Sequence, residues 1–468
     1  MSGGRRSTRR SMFEERGLEL NKKKSQWMSL EPPPAGWSRF ADSTVKLLGA
    51  HIALDTETPV EAETAALMRE LPKQGLFFQR VRKLKGAVAA AILGKCAVPR
   101  MSYVIRTHNP DVTAEPCLRF DEEVAHTWRV LAELDREIDL QTCIVAHLPS
   151  KAGGMGFTRS AWIREAAYCG SLGLAGLKRM PTQKAATLDV TATLTKALGP
   201  ERQALVKANA SSGTATWFTD PSTVMGQRDF AAAMRLRLGT AHPGLSAVVT
   251  CPGCGIQYAK AAWSQHVIGC TRVRGVNAST RHARLKDAVK KVATEHGVAF
   301  AQREPRHVKD VHCRGCGDDI PFVRWTEHAR ACPMLTPEGR KAKPHASGPD
   351  IHLVKGADEI MVDVTVTNPL NPSERGCKPQ TQFRRVESEK EAKYAKAVAK
   401  EGARLVVAAV TTQGCLSPTF AKLLAQLAPT GFFEARREVT AATVGGAAAA
   451  LRNAERQLGA AARHDEDV

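Results

Sequence analysis

Twelve cysteines and fourteen histidines stand in this chain of 468 residues, and eight of the twenty-six fall into one repeated pattern. Cys251, Cys254, His266 and Cys270 are spaced C-x2-C-x11-H-x3-C, and Cys313, Cys316, His328 and Cys332 repeat that spacing 62 positions later. Gly253/Gly315, Gly255/Gly317 and Trp263/Trp325 also coincide, so seven positions agree across two twenty-residue windows, as an internal repeat requires. A C-x-x-C knuckle turns two thiolates towards one ion, its glycines permit the tight turn, and a His and a Cys four apart project from one helical face. The chemistry expected is a tetrahedral Cys3His zinc site, built twice. Protein fills all four positions, which leaves none for water and predicts a structural rather than a catalytic metal. Such a module can grip nucleic acid, hold a protein partner or staple a small domain. Arg272, Arg274, Arg281, Arg314, Arg324 and Arg330, in or beside the two clusters, favour nucleic acid over a merely solvated face.

Two carboxylates form the second constellation. Pro349-Asp350 opens an apolar run, and Asp363 sits between Val362 and Val364 after twelve intervening residues, enough for a hairpin that returns beside the first strand. Paired hard oxygen ligands suit Mg2+ or Mn2+, which can activate water and offset charge on a phosphoryl oxygen. An acid flanked by two valines is costly to bury unless it is paired or metal-bound. The same two residues also fit a turn cap and a solvent-facing position on an edge strand.

The elements that must position these groups follow from periodicity. A helix is predicted over Arg281 to Glu295, a strand over Val298 to Gln302, then the second finger, strands over Ile351 to Lys355 and Glu359 to Thr367, a helix over Arg384 to Glu401 and a buried strand over Leu405 to Thr411. The order is αβββαβ, with the second finger (311–334) inserted in a unit spanning 276–425. The first finger occupies 246–275. Residues 12–180 read mainly as helices in one compact unit, and 181–245 as a linker with Asn209 to Gly213 at the surface, apart from a short helix over Asp229 to Leu238. Residues 426–468 read as an Ala-rich tail forming at most a marginal helix, with no function assigned.

Charge points the same way as the arginines. Lys and Arg number 67 against 47 Asp and Glu, a net +20, which suits a soluble protein that binds polyanions. The strongest apolar run, Gly86 to Gly94, has nine residues closed by Lys85 and Lys95, so neither a transmembrane helix nor a secretory signal is expected. With metal accounting for the clustered cysteines, a reducing compartment follows.

These residues resemble the restriction-like PD-(D/E)XK endonuclease domain of site-specific non-LTR retrotransposon proteins. In that family a CCHC finger precedes an Arg/Lys-His helix, then P-D, then a second acid; here these are Cys251 to Cys270, Arg281-His282, Pro349-Asp350 and Asp363, with Glu304-Pro305 also similar. A standard E-x-K would place its lysine at Thr365, and the K-x-x-K-Y-like Lys390, Lys393 and Tyr394 resemble the family's relocated lysine, Lys390 ranking above Lys393. The resemblance implies catalysis by Asp350 and Asp363 with Mg2+ or Mn2+ and Lys390 or Lys393. It also implies nucleic-acid contacts by Arg281, His282 and Lys24, beside those of Arg314 and Arg324 in the second finger. Upstream, Gly17 to Asn21 with Lys24-Ser25 resembles a late reverse-transcriptase palm motif, Leu47-Leu48-Gly49 the primer grip, and Leu148-Pro149, Gly153 to Gly156 and Ala167-Tyr168 the thumb and connection.

On that resemblance, the polymerase aspartates would lie just before residue 12, so reverse transcription is not expected of this chain and Lys24 has no active site to serve. The expected activity is nicking of target DNA to prime reverse transcription of the element RNA, in the nucleus and without a membrane. The rival readings are a nucleic-acid-binding remnant with a dead nuclease core, and a zinc-stapled regulatory protein.

Overall fold

The computed structural model describes residues 26–27, 38–39, 44–53, 57–176, 183–273, 278–298, 300–303, 310–321, 324–337, 346–371 and 377–459. The palm-like motif with Lys24, and Glu304-Pro305, lie outside them. The chain is mostly helical, with several small sheets and two Cys3His clusters.

A short parallel pair, β1 (Gln26–Trp27) with β2 (Ser38–Arg39), precedes the hairpin of β3 (Thr44–Leu47) and β4 (Ala50–Ala53). Leu48 and Gly49, expected as part of a primer grip, form the two-residue turn of that hairpin, both with positive φ. Helices follow: α1 (Pro59–Arg82), α2 (Gly86–Ile92), α3 (Met101–Thr107), α4 (Pro110–Leu131), α5 (Leu140–His147) and α6 (Ser160–Leu174). Their starts are written locally. Asn109 accepts the Asp111 amide ahead of α4, and Asp139 accepts the Thr142 amide ahead of α5 at 2.8 Å. Against the expectation above, Gly86–Thr107 is long and apolar enough to cross a membrane by length and composition. It is broken by a π turn and a 3-10 turn at Pro99, and it buries Ala89, Leu93, Ala97, Met101 and Ile105 in the helical core.

Residues 181–245 are a correction. Instead of a linker, 183–245 fold into α7 (Gln183–Lys196), α8 (Pro200–Asn209), α9 (Thr216–Thr219) and α10 (Gln227–Leu238), and they supply Trp217, Phe218 and Phe230 to the same core. Their small and hydroxylated residues weaken the apolar period while still allowing helices to approach closely. In α10 every residue from Phe230 to Leu238 is buried, including Arg235 and Arg237. Arg237 donates to the carbonyls of Gly154, Thr214 and Asn209, and burial drives its pKa down to about 9.

The first finger consists of β5 (Val248–Thr250), β6 (Gln257–Ala259) and α11 (Lys260–Gly269), and it packs into the helical core through Trp263, Val267 and Ile268. Then come α12 (Ala278–Glu295), β7 (Phe300–Arg303) and the second finger, with β8 (Asp310–His312), β9 (Asp319–Pro321) and α13 (Trp325–Ala331). The short β10 (Ala346–Ser347) pairs with β8, leaving the second finger with a small core of its own around Val311, Trp325 and Leu335.

The chain next adds β11 (Ile351–Lys355), β12 (Asp358–Thr367), α14 (Pro379–Lys400) and β13 (Arg404–Thr411), completing a sheet of order β13-β12-β11-β7. β11 is antiparallel to β12 and β7, whereas β12 and β13 run parallel through the crossover helix α14. Leu285, Val289 and Val292 of α12 share a core with Ile351, Ile360, Val362 and Val364; Tyr394 and Val398 of α14 pack with Met361. By strand alternation these are opposite faces.

The expected Ala-rich tail is a second correction. After α15 (Pro418–Leu427), α16 (Phe432–Gln457) runs through the interior, giving Ala435 and Val439 to the sheet core and Val444, Ala448, Leu451 and Ala454 to the helical core. Its alanines and glycines are small because neighbours press on it: a Cβ on Gly446 would stand 3.2 Å from the Arg281 side chain. Glu455, 1% exposed, pairs with Arg235 at 2.9 Å and accepts the His242 amide at 2.8 Å.

Candidate zinc centres and carboxylate site

In both fingers a β-hairpin carries the C-x-x-C pair, and a helix carries the histidine with the last cysteine at its end. The knuckles are superimposable in their bonding: the Gly255 amide donates to the Cys251 carbonyl and the Gly317 amide to that of Cys313. Gly255 and Gly317 have φ of +74° and +84°, in the left-handed region. Gly253 and Gly315 are small for another reason, since a Cβ there would lie 2.5 Å from the Val273 amide nitrogen and 2.6 Å from the Met334 carbonyl carbon. The duplicated glycines are thus explained one by one.

The four ligand atoms of each cluster lie within 4.8 Å of one another. Thiolates at about 2.3 Å from a tetrahedral ion stand about 3.8 Å apart. The Cys251–Cys270 and Cys313–Cys332 sulfur pairs are both separated by 3.8 Å. The Cys254–His266 and Cys316–His328 contacts, through Nε2, are 3.3 and 3.5 Å. Both sites can therefore hold zinc. The Cys316 and Gly315 amides draw the Cys313 thiol down, whereas burial and the neighbouring sulfurs push its partner Cys316 up. Arg314, Arg324 and Arg330 are exposed on the second finger, and Arg272 is exposed beside the first; Arg274 lies outside the described residues.

The two acids meet at one end of the four-stranded sheet. Ile351 is opposite Val362, so Asp350 enters the sheet beside Asp363. The Asp350 amide donates to the Val362 carbonyl and its Oδ2 accepts the Val364 amide, both at 2.8 Å, so Asp350 brackets Asp363 on either side. They are 6% and 2% exposed, which excludes the solvent-facing alternative. Basic side chains approach from both layers. From α12, His282 Nε2 lies 3.0 Å from Asp350 Oδ2 and 2.6 Å from the Val364 carbonyl, and Lys286 Nζ lies 3.4 Å from Asp350 Oδ1. From α14, Lys390 Nζ lies 3.0 Å from Asp363 Oδ2, and the Thr365 hydroxyl donates to the same oxygen.

These neighbours set the charges. Burial pushes the Asp350 carboxyl up, but His282, the Val364 amide and Lys286 outweigh it and hold it below the ordinary carboxylate range. Asp363 is pushed up by burial, and by Asp350, further than Lys390 pulls it down. Burial alone would lower Lys390, yet Asp363 raises it. The arrangement keeps one acid ionised and the other proton-avid, with an ammonium on each.

Among the residues expected to act, the structure brings Asp350, Asp363, Lys390 and His282 together. Lys393 does not join them: it is exposed on α14, over the Tyr394 ring. Arg281 is the clearest departure from a DNA contact, because it is 9% exposed, packed against α16, with Nε and Nη1 lacking hydrogen-bond partners. His282 likewise faces inward, onto Asp350. Lys286 was missed by sequence reasoning, although it stands one turn after His282 on the same helical face. The chain matches no protein-family model and no curated protein.

Proposed function

We propose that this chain is the endonuclease portion of a non-LTR retrotransposon protein, a metal-dependent DNA endonuclease that nicks target DNA to prime reverse transcription. On this reading the four-stranded sheet with α12 and α14 is the restriction-like core, and the helices before the first finger are thumb and connection. The observation that carries the reading is the buried Asp350–Asp363 pair with Lys390 on Asp363. A helical lysine reaching the second acid supports a relocated catalytic lysine where the strand itself offers Thr365.

The donor set fits a hard cation. Asp350 Oδ2 and the Val364 carbonyl converge on one N–H of His282, and Asp363 faces the Lys390 ammonium, so N–H donors stand where a metal would bind. Asp350 and Asp363 would hold Mg2+ or Mn2+, which when bound supplies water activation and charge stabilisation at the phosphoryl group. Lys390 then orients the attacking water or offsets phosphate charge, and His282 with Lys286 keeps Asp350 ionised. Arg314, Arg324 and Arg330 hold the DNA backbone from the second finger.

A second reading has its own support: every carboxylate oxygen of the pair already meets an N–H or O–H donor, as in a remnant that binds nucleic acid through its fingers and basic surface alone. Nicking of supercoiled plasmid with Mg2+ or Mn2+ at low salt separates the two. Wild type is expected to nick, and Asp350→Ala and Asp363→Asn to lose nicking while retaining a duplex gel shift. Nicking that persists in Asp363→Asn would refute the site; an intact plasmid with a salt-sensitive shift from wild type would leave the binding remnant.

A further inference from the structure

The two zinc centres are alike in their ligands and unlike in what surrounds them. Around the first, Val249, Trp263, Val267, Ile268 and Val273 belong to the large helical core. Lys260 Nζ donates to the Pro243 carbonyl at 2.9 Å and Gln265 Nε2 to the Leu236 carbonyl at 3.0 Å, which ties α11 to α10 and the loop after it. The Tyr258 ring stacks on the ligand His266, with centroids 4.2 Å apart and planes 20° from parallel. The second finger has Ile320 at that place. Among the described residues, the core around the second centre is Val311, Cys313, Trp325, Ala329, Cys332 and Leu335, with Ile320 against it. All seven lie within the finger, and two of them are ligands.

These surroundings set how tightly each metal is held. A module with so little apolar burial depends on its metal to fold, so part of the zinc-binding free energy of the second finger goes into ordering the cage. The first cage is kept in shape by the helical core before metal arrives, and an aromatic partner packed on a ligand ring strengthens binding further. The second finger also borders the acid pair. Strand β8 runs into Cys313 and pairs with β10, Val311 opposite Ala346 and Asp310 opposite Ser347. Only Gly348 and Pro349 separate Ser347 from Asp350. A metal-held β8 thereby fixes the chain where Asp350 enters the sheet and sends its carboxylate to the Val364 amide.

We infer that the second zinc is exchangeable and acts as a latch on Asp350. Zinc in the finger fixes the β8–β10 pair and with it the entry of the acid into the sheet; zinc loss frees both, while the first zinc stays in place. The ligand of this regulatory site is the free Zn2+ ion. Its bearing on nicking rests on the nuclease reading, but the latch itself does not, because it is read through zinc release and backbone exchange.

The test begins with the zinc-loaded full chain mixed with an excess of a colorimetric zinc chelator. The two ions are expected to leave in separate phases, the first about 10-fold or more faster, the scale on which partners beyond the ligands change metal affinity. His328→Gln and Cys316→Ala should each remove the fast phase and keep the slow one, which assigns the fast ion to the second finger and shows that the rest of the chain is folded. Hydrogen exchange is then followed by mass spectrometry on the wild-type chain stripped of its fast ion. Segments holding the Asp350 and Val364 amides should exchange about 10-fold or more faster than in the fully loaded chain, with α4 and α16 unchanged and added Zn2+ restoring the slow exchange. Release of both ions at one rate, a fast phase that survives both variants, unchanged exchange at Asp350 and Val364, or loosening that extends to α4 and α16 would each overturn the inference.

Discussion

Replacing Glu455 by alanine tests whether the C-terminal helix is a structural strut. Its carboxylate and the Arg235 guanidinium are 1% and 2% exposed at the side chain and 2.9 Å apart. At an effective dielectric of about 20 their gross attraction is about 6 kcal/mol. Arg235 keeps other partners in the variant, the Ala132 carbonyl and Glu133, which softens the loss; the His242 amide loses an acceptor, which deepens it. The net expectation is about 3–5 kcal/mol, the range for breaking a buried pair by removing one partner. Glu455→Gln, which keeps hydrogen-bonding capacity, should lose less. Arg235→Met combined with Glu455→Met should be milder than the sum of its parts, because no unpaired charge remains. The assay is urea unfolding of zinc-loaded protein followed by tryptophan fluorescence, since Trp128, Trp217 and Trp263 all lie in the core that α16 completes. A loss below about 1 kcal/mol in Glu455→Ala would refute the reasoning, leaving 426–468 a dispensable tail.

Two further outcomes follow from the sites. Wild type should bind two zinc ions, and Gly315→Ala, whose Cβ would meet the Met334 backbone at 2.6 Å, should release zinc to a colorimetric chelator faster than Gly317→Ala, where only φ is strained; equal rates would discard the close-approach explanation. Asp350→Asn should lower the urea midpoint at pH 7. The folded pKa of Asp350 is depressed, so its stabilisation is complete above the ordinary carboxylate range and fades as pH falls through the folded value. The difference from wild type should therefore shrink below about pH 4, and a pH-independent difference would contradict the assignment.

The readable parts of the sequence were those whose signal is local. Cys251 to Cys270 and Cys313 to Cys332 fix ligand number and spacing within twenty residues, and the tight turns demand glycine at Gly255 and Gly317. The strands around Asp350 and Asp363 were legible for the same reason: short β-branched runs bounded by turns fold back on their neighbours. Lys390 was nominated by resemblance, and the fold sets it on Asp363 while leaving Lys393 outside. Residues 181–245 and α16 were illegible because alanine and glycine carry little hydropathy contrast, so a helix buried on most sides looks like a helix with no face at all.

What the sequence determined by itself was composition-limited chemistry: two Cys3His centres, an αβββαβ order and a pair of acids one hairpin apart. Only the tertiary structure decided which charges are spent internally. Arg281 was expected on a nucleic-acid contact, and Arg235 and Arg237 count towards the net positive charge, yet each is buried. Lys286 had no visible role until α12 brought it to Asp350. A side chain's charge is written in its residue type, but its partner and its access to water depend on residues up to 220 positions away, as Arg235 and Glu455 are, and only packing brings those together.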